Sequence, residues 1–285
     1  MKIKSRVAIL VFTFLLILMH NIFYKNQFED AINEKISESY QLPIVMYHAF
    51  LKDEKMHGKF VIHPDLFDED ISYILQKGYT PILINQLIDF AHGDGNLPEK
   101  PIMITIDDGY YNNYIYAFPI LKKYGAKAVI SPIAKYSEIY SANNENNAYY
   151  SHITWAQGRE MLESNLIEFQ NHTYDMHSLN SGREGIKRKN GETVGNYQKI
   201  LYEDLLKAHN LIRDKFGFNP RAIALPFGTY CADADEVIDK IGYEVSFSCV
   251  EGINTVTRGG NLRMLKRYNR PNGSSSQEFF DLILK

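Results

Sequence analysis

Short apolar runs alternate with longer amphipathic stretches along most of this chain. The short runs are rich in β-branched residues and are bounded by turn residues, which is typical of buried strands. The longer stretches carry apolar residues every three or four positions and end at glycines such as Gly78, Gly125 and Gly217, as amphipathic helices do. The alternation predicts an α/β domain with a parallel sheet covered by helices. About seven repeats fit a barrel better than an open sheet.

The elements can be placed from the same pattern. The predicted strands are 44–48, 80–83, 102–106, 126–131, 166–170, 222–225 and 244–248, with a further edge strand at 262–267. The predicted helices are 66–77, a second helix through 90 capped by Asn85, one that ends at 124, 155–163, 197–216, 232–241 and 277–284. Two polar stretches, 137–151 and 182–195, are predicted to be loops.

The N-terminus has the pattern of an export signal. A basic segment at 2–6 precedes an apolar run at 7–19, with no small-residue cleavage site after it. Counted through Tyr24, the segment is just long enough to cross a bilayer. We favour an uncleaved signal anchor at 1–24 with its basic flank in the cytoplasm. A cleaved signal peptide remains the alternative.

The rest of the chain is interpreted as a stalk and one domain. Residues 25–41 are polar and of mixed charge, which predicts a stalk. The domain is expected to occupy 42–285. Both interpretations of the N-terminus place it outside the cytoplasm, either on the extracellular face of the membrane or secreted to the cell wall.

Composition narrows the classes of partner. The 285 residues are 45% hydrophobic and 23% charged, enough for a full core. A net charge of −3 without a basic stripe argues against a nucleic-acid partner. Cys231 and Cys249 are far apart in the sequence and form no metal-type pair. The sequence leaves a disulfide between them open, and we favour two unpaired thiols. We expect a monomer.

Chemically active side chains follow several of the predicted strands. His48 ends the first strand, Asp107 and Asp108 end the third, and His172 and His177 follow the fifth. Parallel strands bring their carboxyl ends to one face, where α/β proteins normally place their sites. These positions therefore predict a metal centre combined with an acid–base pair.

The adjacent carboxylates have two interpretations. Asp107 and Asp108 repel each other unless a cation or a shared proton relieves them, but an Asp-Asp-Gly sequence also suits an ordinary turn. His172 and His177 lack the spacing of a helical zinc motif, although a loop can turn both rings toward one point. Two histidines and one aspartate leave coordination positions open, as a hydrolytic zinc site requires.

Three segments of this sequence resemble the motifs of a known family. Thr105-Ile106-Asp107-Asp108-Gly109, His172-Thr173-Tyr174-Asp175-Met176-His177 and Leu225-Pro226-Phe227-Gly228 look like the three motifs of the polysaccharide deacetylases, which have the NodB-homology fold of carbohydrate esterase family four. The likeness runs from about Pro43 to the C-terminus. It implies a distorted (β/α) barrel and a divalent metal, usually Zn²⁺, with Co²⁺, Ni²⁺ or Mn²⁺ as alternatives.

Carried over position by position, the resemblance implies distinct roles. Asp108, His172 and His177 would hold the metal. Asp107 would be the general base that takes a proton from the attacking water. The amide N–H of Phe227 would help to hold the oxyanion, whereas by itself this Pro-Phe-Gly sequence is an ordinary turn.

The chain departs from the common pattern of the family in three ways. Four residues separate the two motif histidines instead of three, no arginine opens the third motif, and no histidine follows His209. All three departures resemble the branch that deacetylates poly-β-1,6-N-acetylglucosamine of bacterial biofilms. In that branch an N-terminal Tyr-His supplies the general acid, and Tyr47-His48 matches it. Arg267 or Arg270 would replace the missing arginine.

The resemblance leaves the polymer open. Poly-β-1,6-N-acetylglucosamine is the first choice, and peptidoglycan or chitin-type N-acetylglucosamine is the alternative. Tyr110 and Tyr174 are candidates for stacking on sugar rings, whereas Trp155 is expected to be ordinary packing. A catalytically silent carbohydrate-binding wall protein is the rival of another class. It is disfavoured because all the proposed chemical residues occur together.

Overall fold

The computed structural model describes residues 19–20, 23–25, 38–179 and 182–284. The chain divides into two units, Met1–Ser39 and Tyr40–Lys285. In the first unit, the described residues at 19–20 and 23–25 are helical. The predicted anchor at 1–24 and the predicted stalk at 25–41 lie mostly outside the described residues. Among the described residues, no helix has both the length and the hydropathy to cross a membrane.

Strands and helices alternate through the second unit. The described strands are β1 (Ser39–Leu42), β2 (Ile44–Tyr47), β3 (Ala49–Phe50), β4 (Val61–Ile62), β5 (Thr80–Pro81), β6 (Pro101–Asp108), β7 (Ala128–Pro132), β8 (Ile167–Phe169), β9 (Ala222–Ala224), β10 (Val245–Phe247), β11 (Asn254–Thr257) and β12 (Tyr268–Asn269). The described α-helices are α1 (Pro64–Gln76), α2 (Ile84–His92), α3 (Phe118–Tyr124), α4 (Ala134–Asn143), α5 (Trp155–Glu163), α6 (Val194–Phe216), α7 (Asp235–Ile241) and α8 (Ser276–Ile283). A π-helical turn, Asn113–Ala117, leads into α3.

The strands follow a ring of parallel pairs. The main sheet has the order β12-β2-β6-β7-β8, and β5 also pairs with β6. A parallel bridge between Asn171 and Ile223 continues from β8 to β9, which pairs with β10. Another parallel bridge joins Phe247 to Leu265, and the chain runs on from Leu265 into β12. The prediction of a parallel α/β fold is confirmed, and the segment from Leu265 to β12 closes the ring.

Several predicted boundaries are wrong. The edge strand at 262–267 is absent; Leu265 makes a single bridge there, and the segment closes the ring instead of forming an edge. The predicted loop at 137–151 begins inside helix α4, whose buried residues are Ala134 and Ser137. Few apolar residues mark that helix, so its amphipathic signal is weak.

Helix α2 is not capped by Asn85. The helix begins at Ile84, one residue before Asn85, and the carboxylate of Glu168 accepts the N–H of Ile84 at 2.8 Å. Glu168 lies in β8 and is buried. A group from a distant strand therefore satisfies the helix N-terminus, which a local pattern cannot reveal.

A buried ion pair ties the closing segment to helix α1. The guanidinium of Arg270 donates to both oxygens of Asp70, at 2.9 and 3.0 Å, and the Tyr47 hydroxyl donates to the same carboxylate at 3.1 Å. Asp70 is fully buried and Arg270 nearly so. Loss of one partner would leave an uncompensated charge in the core.

We expect Asp70→Asn to lower the free energy of unfolding by about 3–5 kcal/mol, because it leaves Arg270 buried without a counter-charge. Urea-induced unfolding followed by circular dichroism measures this change. The matched control is Asp68→Asn on the same helix, where Asp68 pairs with solvent-exposed Lys123 at 2.7 Å. That control should shift the unfolding midpoint only slightly. Equal shifts in the two variants would contradict a structural role for the buried pair.

Candidate active site

Asp107 and Asp108 are the last two residues of the buried strand β6. The chain turns sharply after them, since both Asp108 and Gly109 have positive φ, at 67° and 70°. A Cβ at Gly109 would lie 2.7 Å from the Cβ of Pro132, so only glycine fits there. The Asp-Asp-Gly sequence is therefore both a turn and part of a site, and its two carboxylates have different partners.

Three side chains bring their ligand atoms together. The candidate atoms of Asp108, His172 and His177 all lie within 4.8 Å of one another. The Nε2 atom of each histidine is 3.4 Å from Oδ1 of Asp108. This buried Oδ1 has no hydrogen-bond partner in the described structure. Two imidazole nitrogens and a carboxylate oxygen suit Zn²⁺ and related divalent metals, and the three ligands leave positions open.

The orientation of His172 is fixed by a main-chain contact. Its Nδ1 lies 2.8 Å from the carbonyl oxygen of Ala224, in strand β9. A carbonyl can only accept a hydrogen bond, so Nδ1 carries the proton and the Nε2 lone pair faces Asp108. Such a contact behind a ligating histidine is typical of metal sites.

The electrostatics of the cluster favour positive charge. Burial alone would raise the pKa of Asp108, but the surrounding imidazoles of His172, His48 and His177 hold that pKa well below its usual range. Burial would likewise lower the pKa of His172, yet Asp107 and Asp108 raise it. The residues present therefore fit a divalent cation, which would neutralise Asp108.

Asp107 has a cation of its own. Nη1 and Nη2 of Arg267 donate to the two Asp107 oxygens at 2.8 Å each, and the Arg267 Nε donates to the carbonyl of Ser248 at 2.9 Å. Both side chains are buried. Burial opposes ionisation, but Arg267 outweighs it and the pKa of Asp107 is lowered. Arg270, the other predicted arginine, instead pairs with Asp70.

His48 lies at the end of β2, in the same group of charges. The side chain of Asn113 donates to the His48 carbonyl at 2.7 Å, and the His48 ring packs on Phe60 at 4.7 Å. Burial lowers the pKa of His48, while Asp108 and Asp107 act to raise it. Its Nδ1 is buried without a hydrogen-bond partner in the described structure.

The turn Pro226–Gly228 borders the cluster. Phe227 has a positive φ of 58°, and its ring centroid lies 4.4 Å from that of His177. A Cβ at Gly228 would be 2.7 Å from the Cβ of Cys249, so the turn needs glycine there.

Cys249 and Cys231 are both free thiols, which agrees with the prediction of unpaired cysteines.

Tyr110 and Tyr174, the two tyrosines predicted to stack on sugar rings, have different surroundings. The Tyr110 ring packs on His152 at 4.7 Å, and burial together with the charge of Asp108 raises the pKa of Tyr110 to about 12. The Tyr174 hydroxyl donates to Glu138 at 2.8 Å. Its ring is covered by the Lys207 ammonium, 3.5 Å from the centroid. These contacts give Tyr174 no place in the ligand cluster.

Trp155 is ordinary packing, as predicted. It is 5% exposed and packs edge-on against Phe216 at 5.4 Å.

The sequence pattern did not indicate two residues near the proposed metal ligands. These are Asn113, which donates to the His48 carbonyl, and His152, which packs on Tyr110. Their roles depend on loop pairings that only the folded chain creates.

A family profile described as polysaccharide deacetylase matches residues 94–246, more than half of the chain. The matched part includes the proposed metal ligands, Asp107 and Phe227. His48 and Arg267 lie outside it.

Curated relatives match most of the chain at low identity. The poly-beta-1,6-N-acetyl-D-glucosamine N-deacetylase of Escherichia coli is 26% identical over 255 residues, covering 82% of this chain but only 37% of the relative's length. The protein of that name from Staphylococcus epidermidis is 24% identical over 243 residues, covering 85% of this chain and 78% of the relative.

Solved structures share the fold. The Streptococcus pyogenes deacetylase PplD in complex with acetate has a TM-score of 0.71 at 24% identity, covering 87% of this chain and all of that one. IcaB from Ammonifex degensii has a TM-score of 0.67 at 24% identity, covering 81% of this chain and 93% of that one. At this identity, the likeness shows the fold alone.

We expect Asp108→Ala and His177→Ala to weaken Zn²⁺ binding by more than the ~100-fold that loss of an outer-shell partner costs. Each removes one of three ligand atoms. Calorimetric Zn²⁺ titration of the purified protein measures the affinity. His63→Ala, a histidine at the start of α1, is the control and should bind like the parent protein. Unchanged affinity in both ligand variants would place the metal elsewhere.

Proposed function

The chain belongs to the polysaccharide deacetylase family, and from this premise we propose that it hydrolyses N-acetyl groups from an extracellular N-acetylglucosamine polymer. The observation that carries the proposal is the pairing of two environments at the end of β6. Asp108 lies with two imidazoles, and Asp107 lies with Arg267. Metal-assisted hydrolysis of an amide uses both a metal site and a separate ionised base, and the neighbouring carboxylates would supply them.

The metal is part of the proposal. Asp108, His172 and His177 would hold a divalent cation, and we propose Zn²⁺ because the donors are two nitrogens and one oxygen. When bound, such a cation polarises the amide carbonyl and makes water more acidic.

Asp107 is the proposed general base. Its lowered pKa keeps it ionised, so the form that accepts a proton is present at neutral pH. Arg267 occupies one lone pair on each oxygen and fixes the plane of the carboxylate. A second lone pair on each oxygen remains available to take the proton of the attacking water.

The remaining roles fall to His48 and the Phe227 turn. Water adds to the acetamide carbon, and the Phe227 N–H would donate to the oxygen that becomes negative. His48 in its protonated form gives a proton to the amine nitrogen as the carbon–nitrogen bond breaks. Acetate and an amino sugar result. Asn113 holds the His48 main chain in place.

We propose poly-β-1,6-N-acetylglucosamine as the polymer. The supporting observations are the names of the relatives, the Tyr47-His48 pair at the end of β2, and an arginine near the C-terminus beside Asp107. The anchor proposed at 1–24 would hold the enzyme at the outer face of the membrane, where such a polymer is exposed. We propose that the enzyme acts as a monomer.

We expect acetate release from acetylated β-1,6-glucosamine oligomers, abolished by a chelator and restored by Zn²⁺. Enzymatic assay of free acetate measures it, with peptidoglycan and chitin oligomers tested in parallel. If acetate is released only from peptidoglycan or only from chitin oligomers, that polymer would replace poly-β-1,6-N-acetylglucosamine as the substrate. No release from any of them, together with chelator-insensitive glycan binding, would favour a silent binding protein.

We expect Asp107→Asn to reduce kcat about 10²–10⁴-fold through loss of the base. The matched control is Asp70→Asn, which also leaves a buried arginine without its carboxylate but lies outside the proposed machinery. Both variants are compared at a temperature where circular dichroism shows them folded. Equal activity losses in the two variants would mean that stability, not base catalysis, explains the effect.

We expect His48→Ala to reduce kcat by a similar factor, because the leaving amine loses its proton donor. His92→Ala, a surface histidine paired with Glu244, is the control. Parental kcat in His48→Ala would remove His48 from the mechanism.

A further inference from the structure

Three tyrosines surround a histidine beside the proposed metal site. The ring centroid of His152 lies 4.7 Å from Tyr110, 4.5 Å from Tyr136 and 5.6 Å from Tyr140. The Tyr136 and Tyr140 rings are close to parallel with it, at 25° and 19°. We call these four residues the aromatic cluster. Two of them, Tyr136 and Tyr140, come from helix α4.

Main-chain hydrogen bonds attach the aromatic cluster to the end of β6. Tyr110 and His152 form an antiparallel bridge. The Ile153 N–H donates to the Gly109 carbonyl at 2.8 Å, and the Tyr111 N–H donates to the Ser151 carbonyl at 2.7 Å. The cluster therefore begins two residues from Asp108 in the chain, and the charge of Asp108 acts on both Tyr110 and His152.

The surface around the cluster is aromatic and exposed. Tyr136 is 36% exposed, and Tyr149 and Tyr150, which precede His152 in the chain, are 53% and 48% exposed. The side chain of Asn112, next to the proposed site, donates to the Ala148 carbonyl at 2.9 Å and so fixes this segment. An exposed aromatic surface beside a catalytic site marks a place for a ligand.

The charged side chains of residues 134–152, which carry this aromatic surface, are paired. Lys135 binds Asp175 at 2.7 Å, Glu138 accepts from Tyr174, and Glu145 accepts from Tyr150. The surface is thus formed by tyrosine rings and by asparagines at 143, 144, 146 and 147. It suits a neutral ligand with apolar faces and many hydroxyls. It lacks the unpaired basic residues that an anionic lipid surface would attract.

Resting on the function proposed above, we propose that Tyr136 and Tyr140, supported by His152, form a subsite for the acetylated sugar unit next to the one being hydrolysed. The C–H face of a pyranose ring packs on an aromatic face, as apolar groups do. A second unit bound there would align the polymer across Asp108. The subsite acts in binding and takes no part in bond breaking.

The test compares short and long substrates. We expect Tyr136→Ala to raise KM for a β-1,6-N-acetylglucosamine pentamer about tenfold, which matches loss of one aromatic contact. KM for N-acetylglucosamine itself and kcat for both substrates should stay at parental values. Tyr140→Ala should act in the same direction, so the test survives if one variant is unstable.

Two controls make the result specific. Tyr136→Phe keeps the ring and should restore the parental KM for the pentamer, and Leu282→Ala removes an exposed apolar side chain of helix α8 without effect. Pentamer binding to the Asp107→Asn variant, followed by saturation-transfer NMR, should fall with Tyr136→Ala.

The outcomes separate this inference from the proposed function. If the parent protein releases no acetate from any substrate, the proposed function fails and this inference fails with it. If the parent is active but Tyr136→Ala leaves KM for the pentamer unchanged, or raises KM equally for both substrates, the subsite alone is wrong. If the parent protein binds phosphatidylcholine vesicles and Tyr136→Ala abolishes that binding while KM for the pentamer stays unchanged, the surface would be reassigned to lipid.

Discussion

Two adjacent buried carboxylates can both stay ionised only if each has its own positive partner. The end of β6 meets this constraint by turning Asp107 and Asp108 toward different neighbours. Arg267 neutralises the first, and the cation that Asp108 and two imidazoles would hold would neutralise the second. The partners come from the closing segment, from the loop after β8 and, through Ala224, from β9. Residues from three separate parts of the domain therefore contact or orient the groups around these two carboxylates.

The sequence predicted the fold where structure is locally encoded. Parallel strands and their helices followed from apolar periodicity, and helix α5 has the predicted bounds. The predictions failed where distant contacts decide. Helix α2 begins at Ile84 because Glu168, from another strand, accepts its N–H. The segment at 262–267 has strand-like composition but serves as a connection, since only Leu265 bridges to β10.

The site could be predicted where its residues directly follow predicted strands. Asp108, His172 and His177 were expected to meet because they follow parallel strands, and the structure brings them together. The sequence did not distinguish Arg267 from Arg270. Three positions apart in an extended segment, they face opposite sides of the backbone. One reaches Asp107 and the other reaches Asp70. The aromatic cluster depends on a pairing between two loops, which leaves no periodic signal.

The closing segment carries both buried arginines, and this has a consequence for synthesis of the chain. Arg267 lies 160 positions after Asp107, and Arg270 lies 200 positions after Asp70. In a nascent chain that has emerged only through β10, Asp70 and Asp107 would be buried without their counter-ions, which destabilises the folded core. Folding of this domain is therefore completed only after the closing segment has left the ribosome, and chaperones that hold unfolded chains can act until then.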